Sequence, residues 1–155
     1  MNDEVFPINV NYALPLTDMI HAGNYDAVHC SPLHDGHQPP TRNGIEIVSI
    51  ELLSFDRNYE LAAMVAEIDR RGFRSANLYE FLALGAQYPD LQRQSWLVTL
   101  GAAEKRSYAR FWSAMNAGED ALIPCLFTTL GERTLLSAAF DGHYRPGFSF
   151  ACVRK

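Results

Sequence analysis

Cysteine is scarce in this chain. The three present, Cys30, Cys125 and Cys152, are an odd number at wide spacing, which argues against a disulfide framework and fits reduced thiols in a cytosol. No stretch approaches the ~20 apolar residues that a membrane span needs, so no membrane partner is expected. The N-terminus, MNDEVFPINV, has neither a basic start nor an apolar run, and no secretory signal is expected of it. Positive charge is also in deficit: 13 Lys and Arg stand against 18 Asp and Glu, a net charge of −5. Arg70-Arg71 and Arg154-Lys155 are only pairs. Without a basic stripe to neutralise phosphates, nucleic acid is not an expected partner.

Catalytic signatures are missing as well. The chain has no G-x-G-x-x-G, no phosphate loop and no H-E-x-x-H, so nucleotide-dependent and zinc-protease chemistry lack support. Asp56, Glu60, Glu67, Asp69, Glu80 and Asp90 are scattered at helix edges and read as caps and solvated faces. Ser137, Asp141 and His143 lie close in sequence, but nothing like a nucleophile elbow surrounds Ser137. Neither an enzyme nor a cofactor is expected.

What is present suits one soluble α+β domain. The composition is 48% hydrophobic and 20% charged, ordinary for a globular chain, and 155 residues can bury a core. Residues 1–44 are turn-rich, with a strand where Phe6, Ile8, Val10 and Tyr12 alternate. A short helix is expected from Thr17, its apolar face Leu16, Met19 and Ile20, ended by Gly23-Asn24. Residues 45–101 hold a strand over Ile45–Phe55, with Glu46 and Glu51 at solvent-facing or edge positions. Two helices follow. The first spans about Tyr59–Arg71, with Leu61, Met64, Val65 and Ile68 on one face and Gly72 at its end. The second spans Leu78–Gln87, capped by Asn77 with Glu80 in a capping box and stopped by Pro89. A short strand, Trp96–Leu100, closes this part. Residues 102–155 are β-rich, with strands over Ala121–Phe127, Thr134–Ala138 and Phe148–Val153 and a turn at Gly131-Glu132. Ser107–Met115 fits either a helix or an aromatic loop. Strands, then helices, then strands predict the α+β class.

Two clusters stand out. Cys30, His34 and His37 are spaced four and three apart among prolines and glycines. They are weak zinc-ligand candidates, and a polar surface loop accounts for them more simply. The C-terminal half is dense in aromatics: Trp96, Tyr108, Phe111, Trp112, Phe127, Phe140, Tyr144, Phe148 and Phe150. Phe127, Phe140 and Tyr144 flank turns and small residues. There they either fill the core or anchor a partner.

The segment GFRSANLYEFLALGAQYPDLQRQ (72–94), the LVTLG strand (97–101) and the ending FSFACVRK (148–155) resemble a family of small bacterial proteins from candidate-phylum genomes. Members carry a GYRPATLEELLAFG-like helix, a YPDLQR segment and a terminal RFLAVRK-like strand. That family is similar to the variable proteins of diversity-generating retroelements, and residues 73–81 also resemble a segment of the formylglycine-generating-enzyme type of C-type-lectin-like fold. The resemblance implies a single C-type-lectin-like domain, with a small twisted antiparallel sheet, two helices and an N-terminal strand close to the C-terminal one. It implies a ligand-binding face of Phe127, Thr128, Thr129, Ser137, Ala138, Phe140, His143, Tyr144 and Arg145, with Phe148–Val153 as a fixed closing strand. The tryptophan usual before that strand is replaced here by Phe140 or Tyr144.

The expected function is therefore non-catalytic recognition of a protein or small ligand by a cytoplasmic module. Two alternatives are a mobile-element or phage-type inhibitor that acts by protein–protein binding, and a zinc-dependent enzyme built on residues 29–37.

Overall fold

The structure is a computed structural model that describes residues 4–29, 44–56, 59–100, 121–140, 143–144 and 147–155, with the backbone alone for 59–62, 121–123, 137–140 and 143–144. The elements in chain order are β1 (Val5–Asn11), α1 (Leu16–Ala22), β2 (Ala27–His29), β3 (Ile45–Leu53), β4 (Tyr59–Glu60), α2 (Leu61–Arg70), β5 (Phe73–Ser75), α3 (Leu78–Gln87), α4 (Leu91–Gln94), β6 (Trp96–Val98), β7 (Ala121–Thr129), β8 (Glu132–Phe140), β9 (His143–Tyr144) and β10 (Phe148–Arg154). Eight strands form one mixed sheet in the order β1-β3-β10-β6-β7-β8-β2, with β5 also on β10, and β4 pairs with β9 separately. The β10–β6 and β2–β8 pairs are parallel and the others antiparallel. Helices and strands of mixed order in one domain agree with the α+β expectation.

The last strand lies in the middle of the sheet and is buried on both faces. Ala151 belongs to one core, with Ile8, Val10, Ile50, Phe81, Leu82 and Leu126, and α1 and α3 pack on that face. Phe150 and Cys152 belong to a second core, with Phe55, Met64, Ile68, Phe73, Val98 and Cys125, and α2 packs there. Successive side chains of a strand point to opposite faces, so a strand covered on both sides needs an uninterrupted apolar run. Phe150–Val153 is such a run, and Ser149 before it is buried with its hydroxyl 3.0 Å from that of Ser95.

Several elements differ from the sequence reading. The first long helix starts at Leu61, because Tyr59–Glu60 is drawn into pairing with β9. β5 and the one-turn helix α4 are too short to leave a periodic signal. The strand expected over Ile45–Phe55 ends at Leu53 and sits between β1 and β10, so β1 and β10 are separated by it. Along β3 it is Ile45 and Ile47 that face solvent, while Glu46 and Glu51 are half-buried. Of the four described helices, α1 and the two longer ones were expected and α4 was not. The sheet is mixed and eight-stranded rather than the small antiparallel one the resemblance implied, because β10 runs parallel to β6 and β2 parallel to β8.

α3 matches the expected span and cap. Asn77 accepts from the Glu80 backbone N–H at 2.8 Å, and Glu80 Oε1 accepts from the Asn77 N–H at 2.8 Å. Glu80 is fully buried and takes a two-pronged pair from Arg74, at 2.9 and 2.8 Å. That pairing pushes the Arg74 guanidinium further up from its ordinary value. A buried carboxylate of this kind is tolerated because both oxygens are satisfied.

Candidate recognition surface

β7 and β8 form a two-residue hairpin. Thr129 pairs with Glu132, leaving Leu130 (φ 52°) and Gly131 (φ 84°) as the two central turn residues. Two consecutive positive φ values match the right-handed twist of a tight hairpin, and such turns usually carry Asn-Gly. The turn lies one residue earlier than the sequence suggested. Leu130 is strained in this conformation, and its side chain is 100% exposed.

A row of aromatics crosses the sheet beside this tip. Phe148 pairs with Trp96 across the parallel β10–β6 ladder. Leu97 pairs with Leu126, which sets Trp96 opposite Phe127. The Trp96 ring stacks on Phe127, with centroids 4.6 Å apart and planes 23° apart, and meets Phe148 edge-on at 5.7 Å. Phe127 and Phe148 pack against the second core, whereas Trp96 keeps 43% exposure. The row is thus the solvent border of that core.

The hairpin is held from behind by the YPDLQR segment. Gln92 is buried and donates from Nε2 to the Phe127 carbonyl (2.8 Å) and to the Thr134 carbonyl (3.3 Å), one on each strand. Arg133, on β8, turns inward and is 7% exposed. Its guanidinium donates to the carbonyls of Gly23 (2.7 Å), Gly85 (3.0 Å) and Pro89 (3.2 Å) and to Gln92 Oε1 (3.1 Å), and it lies over the Tyr25 ring at 5.0 Å. Asp26 accepts from the Arg133 backbone N–H at 2.8 Å. These groups tie the ends of α1 and α3 to the hairpin, so its geometry does not rest on the turn alone.

The residues expected on the binding face separate by register. Phe127 and Thr128 are half-buried and Thr129 is exposed, all three at the turn end of β7. Ser137, Ala138 and Phe140 pair with Pro124, Ile123 and Ala121 toward the open end. Phe127 and Ala121 are six residues apart, about 20 Å along a strand. His143 and Tyr144 pair with Glu60 and Tyr59 in the two-stranded sheet. Arg145, Cys30, His34 and His37 lie outside the described residues, as do the Ser107–Met115 segment and most of the His-rich stretch. Among the described residues no three or more His, Cys, Asp or Glu side chains gather as a metal site. Cys125 and Cys152 are unpaired and buried, and burial pushes each thiol up to about 12. Neither is set up as a nucleophile at neutral pH.

Trp96 and Leu130 are not among the residues expected on the binding face: Trp96 counts in the sequence only as one of many aromatics, and Leu130 stands just before the expected Gly131-Glu132 turn. The Leu-Gly dipeptide in a nine-plus-nine-residue hairpin was the available signal.

Comparison with known proteins finds no family model, no curated protein and no solved structure that matches the chain.

Proposed function

We propose that this chain is a non-catalytic recognition module of C-type-lectin-like architecture, which binds a protein or small ligand through a face near its C-terminus. The observation that carries this reading is the half-exposed Trp96 stacked on Phe127 beside the fully exposed, left-handed Leu130. A rigid aromatic stacked on a braced hairpin and a bulky aliphatic residue at its tip provide contact area at little ordering cost. A strained, solvated leucine where Asn would be more comfortable costs stability, and strain of this kind concentrates at functional positions. The lectin-like part of the reading is supported by the sequence resemblance of residues 72–94 and 148–155, while the mixed sheet with β3 between β1 and β10 departs from it.

Two experiments test the reading. The protein and its Trp96→Ser/Leu130→Asn variant are used as baits on lysate from a native-like host. Proteins retained by the parent and released by the variant support the face, and identical capture profiles sink it. The retroelement component is tested in the adjoining DNA: a reverse transcriptase gene with a near-copy repeat of the region encoding the C-terminal part supports it, and their absence removes it.

A further inference from the structure

A second site lies at the other end of β10. Phe148 and Arg154 are six residues apart on one face of the strand, about 20 Å. Where the aromatic row borders the second core at Phe148, a surface groove of about 680 Å³ borders it at Arg154. Leu53 and Phe55 form its apolar side, and Arg70, Arg71 and Arg154 line it together with Phe73, Glu51 and Asp56. That volume lies within the range of small-ligand sites.

Two of the arginines are held in place by aromatic rings and carboxylates. The Arg71 guanidinium lies over the Phe55 ring at 4.6 Å, and Arg154 lies over Phe73 at 4.5 Å. Phe55 is in turn braced edge-on by Phe150 at 5.3 Å. Glu67 accepts from Arg71 Nε at 2.9 Å while also accepting two bonds from Arg70. Glu51 accepts from Arg154 Nε and Nη2 at 3.2 and 3.0 Å. These carboxylates occupy one edge of each guanidinium. Both terminal nitrogens of Arg71 and Nη1 of Arg154 make no hydrogen bond among the described residues. Stacked guanidiniums with unspent donors in fixed orientation are suited to planar oxyanions, and the Leu53–Phe55 side suits an apolar body.

We propose that this groove binds a small organic oxyanion, a carboxylate or phosphate on an apolar body, between Arg71 and Arg154. This site is separate from the Trp96 face, and either reading stands if the other fails. The test is a nuclear magnetic resonance titration of the whole protein with benzoate, phenyl phosphate and inorganic phosphate, reading the backbone amides and the Arg Nε–H signals, with chloride at matched ionic strength as control. The expected result is a saturable shift confined to the groove, with a Kd on the order of 1 mM or tighter, for at least one aryl anion. Preference for benzoate assigns a carboxylate ligand, and preference for phenyl phosphate assigns a phosphate. Arg71→Gln/Arg154→Gln should weaken binding at least tenfold. Arg71→Lys/Arg154→Lys, which keeps the charge but loses the fork, should weaken it several-fold. The proposal is overturned by no saturable shift with any probe, by equal shifts with chloride, or by undiminished affinity in the lysine variant, which decides the matter if the glutamine variant fails to fold.

Discussion

Arg133 Nη2 donates to Gln92 Oε1 at 3.1 Å, and Gln92 Nε2 donates onward to the carbonyls of Phe127 and Thr134. Through this relay one buried cation fixes both strands of the hairpin that carries Phe127 of the aromatic row. Arg133→Met keeps the stem and deletes the donors, leaving the carbonyls of Gly23, Gly85 and Pro89 without them. Unsatisfied buried acceptors cost roughly 1–3 kcal/mol each. The variant should therefore lose about 3 kcal/mol or more in urea unfolding, while a surface substitution such as Arg93→Met should lose little. Equal small losses would refute the relay as a brace.

At the hairpin tip, Leu130→Asn should stabilise the protein by ~0.5–1 kcal/mol, because Asn accepts the left-handed conformation that Leu resists. The same change should weaken partner capture. Thermal unfolding reads the first effect. A lower melting temperature would mean that the turn does not hold Leu130 at positive φ.

Gly85 lies in α3 where a Cβ would come within 2.2 Å of Tyr25 Oη and 2.8 Å of Leu126 Cδ1. Alanine is the better helix former by about 1 kcal/mol, but Leu126 is fully buried and overpacking costs ~1–3 kcal/mol. Gly85→Ala should be net destabilising in chemical denaturation. A stabilised variant would show that Tyr25 and Leu126 move aside freely.

Glu67 accepts from both Arg70 and Arg71, and these hydrogen bonds hold its carboxyl down at about 2, below the ordinary 4.5. A depressed carboxylate contributes stability that is complete above its unfolded value and lost as pH falls through the folded one. The stability gap between the parent and Glu67→Gln should be constant above about pH 5 and shrink between pH 4.5 and 2. Unfolding curves measured across that range check it, and a gap independent of pH would contradict the pairing.

The thiols give the opposite sign. Burial raises Cys125 and Cys152 from 9.0 to about 12, so the unfolded chain ionises first and stability should decline as pH rises above 9. At pH 8 both should resist a disulfide reagent until denaturant is added. Rapid reaction in the folded protein at either position would show that β7 or β10 is exposed.

Local order was legible because it depends on near neighbours. Asn77 and Glu80 are three apart, so a capping box needs nothing beyond its own turn. The alternation of Phe6, Ile8 and Val10 and the spacing of Met64, Val65 and Ile68 likewise record which side is buried. The aromatic row was only partly legible. Phe127 stands out beside a turn signal, but its stacking partner Trp96 is 31 residues away and on another strand.

The sequence by itself determined the α+β class, the spans of α1 and α3, the three long C-terminal strands and the acidic balance, because periodicity, caps and turn residues encode them within a few positions. Only the tertiary structure decided that β3 lies between β1 and β10, that a charged residue on β8 is buried as the brace of the hairpin, and that Ile47 faces water while Gln92 does not. Those outcomes depend on strand order and register, which bring together residues distant in the chain and which no local pattern records.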